Sequence, residues 1–131
     1  MPTVAISGGF TVLHEGHTRL IEAAAEYGNV IVILNSDDWV KRKYGKVVRP
    51  WSARAEVLMA LKYVHSVILA YDDDGTVCET LKKMKPDYFA NGGDRKKGNT
   101  PEVKICSDCG IKTLWNVGGG KIASSSEILR K

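Results

Sequence analysis

Apolar side chains recur along this chain in two rhythms that alternate from beginning to end. Short unbroken runs, Val4-Ala5-Ile6, Val30-Ile31-Val32-Ile33-Leu34 and Val67-Ile68-Leu69-Ala70, read as strands, and the continuous run over 30–34 fits one buried on both faces of a sheet. Between them the apolar positions fall at helical spacing, as at Leu20, Ile21 and Ala24 and again at Val57, Leu58 and Leu61. The pattern predicts strands over 3–7, 30–34, 67–70, 88–90 and 111–115. It predicts helices over 18–27, from 36 or 37 through 43, from Ser52 onward, and over 76–85, 100–109 and 124–130. Their ends carry ordinary signals. Gly28 closes the first helix, Ser36 or Asp37 caps the second, and Ser52 caps the third. Pro86 stops the helix over 76–85, and Pro101 suits the first turn of the next. Gly118-Gly119-Gly120 reads as a flexible connector.

Strand and helix alternating with short connections mean an α/β fold. The expectation is a five-stranded parallel sheet with helices on both faces and right-handed crossovers. Ligands bind such sheets beyond the carboxyl ends of the strands. The turn after the first strand, the turn over 91–95 and the loop over 116–124 should therefore meet on one rim.

Length and composition narrow the picture further. At 131 residues, residues 1–131 read as one domain with a proper core. No apolar run approaches the roughly 20 residues of a membrane span, so no membrane association is expected. Met1-Pro2-Thr3-Val4 runs directly into a strand without a basic and then apolar leader, which makes a cytoplasmic location the expectation. A net charge of +4 suits polyanionic small molecules and does not demand nucleic acid. Cys106-Ser-Asp-Cys109 has metal or redox spacing, but no second pair completes a zinc set, and packing is the simpler role.

The chemistry concentrates in Ser7-Gly8-Gly9-Phe10-Thr11-Val12-Leu13-His14-Glu15-Gly16-His17. Two glycines let a backbone approach a ligand closely. The helix beginning near His17 offers free N–H groups and a positive dipole end to an anion. His14 and His17, three apart, can be aimed at the same anion, and the reading is a phosphate site. Neither G-x-G-x-x-G nor G-K-[ST] is present, which disfavours a dinucleotide fold or a P-loop. Ser124, Ser125 and Ser126 follow three glycines at a helix start, either as a capping box with Glu127 or as a second phosphate clamp. Arg49 and Arg54 are candidate phosphate or acceptor ligands, with a helix-surface role open for Arg54. Asn91-Gly92-Gly93-Asp94-Arg95 is either a plain turn or part of the site. Asp37 and Asp38 can cap or bind, and Trp39, Trp51 and Trp115 can pack or stack.

G-x-F-x-x-x-H-x-G-H directly after the first strand resembles the cytidylyltransferase-like nucleotidyltransferases. The resemblance continues through Arg49-Pro50 with Arg54, Asn91 to Arg95 and the late serines. It is nearest to the sugar-1-phosphate (heptose phosphate) adenylyltransferases and the glycerol-3-phosphate cytidylyltransferases, and it implies their Rossmann-like fold. It implies that Gly8, Gly9, Phe10, His14, His17, Gly92, Asp94 and Arg95 line the nucleotide. Ser124–Ser126 would grip its β- and γ-phosphates. The lysine that neutralises the triphosphate would be Lys46, or else Lys43. Thr11, Arg49 and Arg54 fall on the acceptor side.

Three positions depart from the family pattern. Thr11 stands where many members have aspartate. Gly119-Gly120-Lys121 replaces an arginine of the glycerol-phosphate branch, and Asn91 replaces a lysine of the adenylyl branch. The implied activity is Mg²⁺-dependent transfer of CMP or AMP from CTP or ATP to a sugar phosphate or glycerol phosphate, releasing pyrophosphate. His14, His17 and Lys46 would be its catalytic groups, Mg²⁺ would bridge the phosphates, and the resemblance implies a homodimer. A non-catalytic nucleotide-binding or sensing domain on this fold is the alternative. Nucleic-acid binding through the basic segments 41–49 and 95–97 is weaker.

Overall fold

The computed structural model describes residues 2–93, 95, 98 and 100–119. The elements run β1 (Thr3–Gly8), α1 (Glu15–Ala24), β2 (Asn29–Leu34), α2 (Asp37–Tyr44), α3 (Trp51–Met59) and β3 (Val64–Leu69). They continue with α4 (Cys78–Met84), β4 (Tyr88–Ala90), α5 (Val103–Cys109) and β5 (Lys112–Leu114). The strands form one parallel sheet in the order β3-β2-β1-β4-β5. This is the α/β Rossmann-like architecture expected from the alternation. The predicted helix over 124–130, with Ser124, Ser125 and Ser126, lies outside the described residues, as do Asp94, Lys96, Lys97 and Lys121.

Successive strand residues point to opposite faces, so each central strand feeds two cores. Val4, Ile6, Val30, Val32 and Leu34 pack with Ile21 and Ala24 of α1 and with Ala55 and Leu58 of α3. Ala5, Ile33 and Phe89 pack with Leu81 of α4 and Cys106 of α5 on the other side. The chain proceeds outward from β1 to β2 and β3, then crosses back to place β4 on the opposite side of β1. The strand order therefore reverses between β1 and β4, where an open α/β sheet forms its ligand crevice. Among the described residues no helix is long and apolar enough to cross a membrane.

Several boundaries differ from the sequence reading for local reasons. Ser52 does not cap α3. Pro50 occupies the N-cap position at φ −67° without a side-chain bond, and its carbonyl accepts from the Arg54 N–H (3.1 Å). Ser36 caps α2 through its Oγ, which accepts from the Trp39 N–H (3.1 Å). Pro101 precedes α5, which starts at Val103. α1 begins at Glu15, three residues before the expected start, because a histidine caps it.

Candidate active site

β1 ends at Gly8, and the chain turns through Gly9 and Phe10 toward α1. A Cβ on Gly8 would stand 3.1 Å from the Phe10 ring, and one on Gly9 would stand 3.2 Å from the Trp39 ring. The space freed by these glycines is taken by the protein's own aromatic side chains, where sequence alone suggested room for a ligand. Phe10 is 7% exposed and sits at φ 46°, a left-handed conformation rare for a bulky residue. Such strain costs on the order of 1–3 kcal/mol and persists only where the surroundings over-determine it. Here the ring lies against Gly8 and meets the His17 ring edge-on, with centroids 4.7 Å apart.

His14 is the N-cap of α1. Its Nδ1 accepts from the Gly16 N–H (3.1 Å), and the Nδ1 of His17 accepts from the backbone N–H of His14 (3.3 Å). The pair forms a capping box with two imidazoles in place of the usual hydroxyl and carboxylate. The consequence is chemical. A ring nitrogen that accepts carries no proton, so each neutral imidazole bears its hydrogen on Nε2. The two rings are stacked with centroids 3.8 Å apart and planes 20° apart, which holds the donors together. The Nε2 of His14 is buried and has no hydrogen-bond partner among the described residues, and so are the Oγ1 of Thr11 and the Oδ1 of Asn91. An unmade buried hydrogen bond costs about 1–3 kcal/mol. All three atoms belong to segments that leave the carboxyl ends of β1 and β4.

Arg54 was a candidate phosphate ligand or surface residue. The structure gives it neither role, for it is 2% exposed. Its Nη1 donates to the carbonyls of Gly9 (2.8 Å) and Asn35 (2.9 Å), and its Nε to the carbonyl of Arg49 (3.0 Å). Its Nη2 donates to the Asp37 carboxylate (2.7 Å). Arg54 is therefore a staple. It joins the glycine turn, the end of β2, the start of α2 and the basic loop from inside the protein. A buried cation needs such partners to offset its lost hydration. Asp37 is thereby an Arg54 partner and not the cap of α2. Asp72, which sequence reasoning missed, braces the same corner. Its carboxylate accepts from the Asn35 Nδ2 (3.0 Å), the Ser36 N–H (2.8 Å) and the Ser36 Oγ (2.6 Å).

The basic loop is exposed at Lys46 and Arg49, and Arg49 reaches the staple through its carbonyl. Lys43 lies over the Trp39 ring, 5.0 Å from its centroid. Trp39, Arg42, Lys43 and Gly75 line an open cavity of about 240 Å³. Because the Trp39 ring also borders Gly9, this cavity backs onto the glycine turn. Trp39 donates from Nε1 to the Gly75 carbonyl (3.2 Å), and Trp51 donates from Nε1 to the Leu34 carbonyl (3.1 Å).

On the far side of β1, Asn91 follows β4, and its N–H donates to the Leu114 carbonyl (2.9 Å). Its own carbonyl accepts from the Val117 N–H (2.9 Å). Gly118, at φ 83°, lies so close to α1 that a Cβ there would stand 2.9 Å from the Leu20 nitrogen. The loop after β5 is thus laid against α1. The turn beginning at Gly92 closes with the Arg95 N–H donating to the Gly92 carbonyl (3.3 Å), and the Arg95 Nη2 donates to Glu102 (3.0 Å). The expected convergence on one rim holds for the described parts of these loops.

The cysteines stand apart from this chemistry. Cys106 is buried, and burial, helped by the nearby Glu102 charge, pushes its thiol up to about 12. Burial also raises the Cys78 thiol. Among the described residues no cluster of three or more His, Cys, Asp or Glu could hold a metal ion.

The comparisons with known proteins bear on the family and the fold. Residues 5–108 match the cytidylyltransferase-like family model. A D-beta-D-heptose 1-phosphate adenylyltransferase of Bordetella bronchiseptica is 32% identical over 117 residues, covering 86% of this chain and 71% of that protein. An FAD synthase of Pyrococcus abyssi is 38% identical over 94 residues, covering 70% of this chain and 63% of its own length. The bifunctional protein HldE of Gluconobacter oxydans is 39% identical over 114 residues, covering 85% of this chain. The chain spans 23% of that longer protein. In fold, a lipopolysaccharide core biosynthesis protein of Thermoplasma volcanium superposes with a TM-score of 0.72 at 24% identity, covering 88% of this chain and 95% of its own.

Proposed function

Because this chain belongs to the cytidylyltransferase-like family, we propose that it is a nucleotidyltransferase moving CMP or AMP from CTP or ATP to a phosphorylated small molecule. The observation that carries this reading is the pair of imidazoles whose Nδ1 atoms are spent on the helix cap. Among the described residues the Nε2 of His14 has no partner, and it lies at the positive end of α1, beside the crevice where the strand order reverses. An acceptor phosphate oxygen attacks the α-phosphorus, the bond to the β-phosphate oxygen breaks, and pyrophosphate leaves. No protein nucleophile is needed. Positioning and charge stabilisation carry the rate. His14 and His17 donate to the phosphoryl oxygens as charge builds, and Arg54 fixes the glycine turn beneath them.

The remaining roles follow from position and family likeness. Gly8, Gly9 and Phe10 shape the floor under the phosphates, and Gly92, Asp94 and Arg95 take the nucleotide side. Lys46 and Ser124–Ser126 hold the leaving pyrophosphate. Bound to the triphosphate, Mg²⁺ would disperse charge on the phosphates that Lys46 and Ser124–Ser126 would hold. The acceptor takes the opposite side, near Thr11, Arg49 and the cavity of Trp39, Arg42 and Lys43, where two cations and an indole suit a phosphorylated organic molecule. The adenylyltransferase named among the relatives makes ATP the first triphosphate to test. A homodimer, checked by sedimentation, completes the proposal.

The test is pyrophosphate release with Mg²⁺, crossing ATP and CTP against sugar phosphates, glycerol phosphate and a flavin phosphate. Turnover in one combination, lost in His17→Ala, is the expected result. Thr11 favours a second reading, because it offers no carboxylate and its buried hydroxyl has no partner among the described residues. A nucleotide-binding domain without transferase activity would bind triphosphate in calorimetry and release no pyrophosphate with any acceptor.

A further inference from the structure

Glu102 sits just ahead of α5, 3% exposed, far in sequence from the glycine and histidine stretch. A carboxylate so placed is costly unless both oxygens are satisfied. One oxygen accepts from the Arg95 Nη2 (3.0 Å) and the other from the Val77 N–H (3.0 Å). Val77 is the N-cap of α4, so Glu102 takes the N–H at the start of that helix, next to the Cys78 N–H that donates to the Thr76 hydroxyl (3.3 Å). The Arg95 side chain is 30% exposed and makes no other hydrogen bond among the described residues. One edge of the guanidinium is anchored inward, and the side chain keeps part of its surface exposed. The backbone bond from Arg95 to Gly92 closes the turn at whose end the guanidinium stands.

We infer that Glu102 is a positioning residue for the triphosphate, acting through Arg95 and locking the turn after β4 to the start of α4. This rests on the nucleotidyltransferase reading, in which Arg95 faces the nucleotide. Without Glu102, Arg95 is a long exposed side chain free to sample many rotamers, and a phosphate would have to bear the cost of ordering it. With Glu102, the charge is already in place. The two residues then act as one unit, and their effects on binding cannot add.

The experiment is calorimetric titration of ATP, and separately CTP, with Mg²⁺ into wild type, Arg95→Ala, Glu102→Gln and the double variant. Thermal melts run alongside. Glutamine can still accept from Val77 but presents no anion to Arg95. Each single change is expected to weaken binding about tenfold. The double variant should bind no more weakly than Arg95→Ala. Glu102→Asp, which keeps the anion, should regain most of the affinity, and it answers the question if the glutamine variant fails to fold. Losses that multiply in the double variant overturn the inference, as does a Glu102→Gln protein that binds like wild type. A wild type that binds neither triphosphate removes the nucleotidyltransferase reading and this inference together, whereas multiplying losses on a wild type that binds remove this inference alone.

Discussion

Two glycine-bearing turns leave the carboxyl ends of the neighbouring strands β1 and β4, and they are built by opposite means. After β1, Gly8 and Gly9 are crowded by the rings of Phe10 and Trp39, and the Gly9 carbonyl is held by the buried Arg54. After β4, among the described residues, the turn from Gly92 is held by one backbone bond and by a partly exposed Arg95 pinned to Glu102. The first turn is fixed by many partners from four segments, the second chiefly by one pair. The difference teaches where rigidity is needed. In the proposed reaction the side that carries His14 and His17 would hold donors against developing charge, where small displacements cost rate. The other side would only present the nucleotide, so its determinants should appear mainly in binding.

The strongest way to break this contrast is Arg54→Met. It leaves three carbonyls and Asp37 without their donor. Unfolding in urea should show a loss of about 3–5 kcal/mol, the range for breaking one partner out of a buried charged network. A loss below about 1 kcal/mol would mean that the staple is dispensable.

Next comes His14→Asn. Asparagine is a good N-cap, so α1 should keep its start, but the Nε2 donor is gone. Pyrophosphate release should fall about 10²–10³-fold with little change in melting temperature. A parallel fall in stability would show the histidine to be chiefly a cap. Gly9→Ala sharpens the comparison at lower cost. Its Cβ would meet the Trp39 ring at 3.2 Å, and the ring must give way. A loss of about 1–2 kcal/mol is expected from such overpacking, read by thermal melting. Cys109→Ser should do least. Spectrophotometric zinc titration and melting under reducing and oxidising conditions should match wild type to within about 0.5 kcal/mol.

How much of this was legible in the sequence follows from the range of each interaction. The continuous run of Val30 to Leu34 announced a strand buried on both faces, and the glycine and histidine stretch announced the turn. The start of α1 was misplaced because histidine is not among the usual capping residues. Its capping depends on a reciprocal bond visible only in three dimensions. Ser52 looked like a cap, yet Pro50 starts α3. Arg54 looked like a ligand or a surface charge because nothing local reveals its acceptors. They come from Gly9, Asn35, Asp37 and Arg49, brought together by the sheet. Glu102 gave no signal either, since its partners Arg95 and Val77 lie on separate elements.

In the proposed reaction His14 and His17 would present Nε2–H to phosphate, because each Nδ1 is held on the helix cap. The direct measurement is nitrogen-15 NMR of the histidine side chains, with and without Mg²⁺-ATP or Mg²⁺-CTP. In the free protein His14 and His17 should each show an unprotonated Nδ1 and a protonated Nε2. The Nε2 resonances should then shift when the triphosphate that binds is added. A proton on Nδ1 of either ring, or Nε2 signals unmoved by a triphosphate that calorimetry shows to be bound, would contradict it.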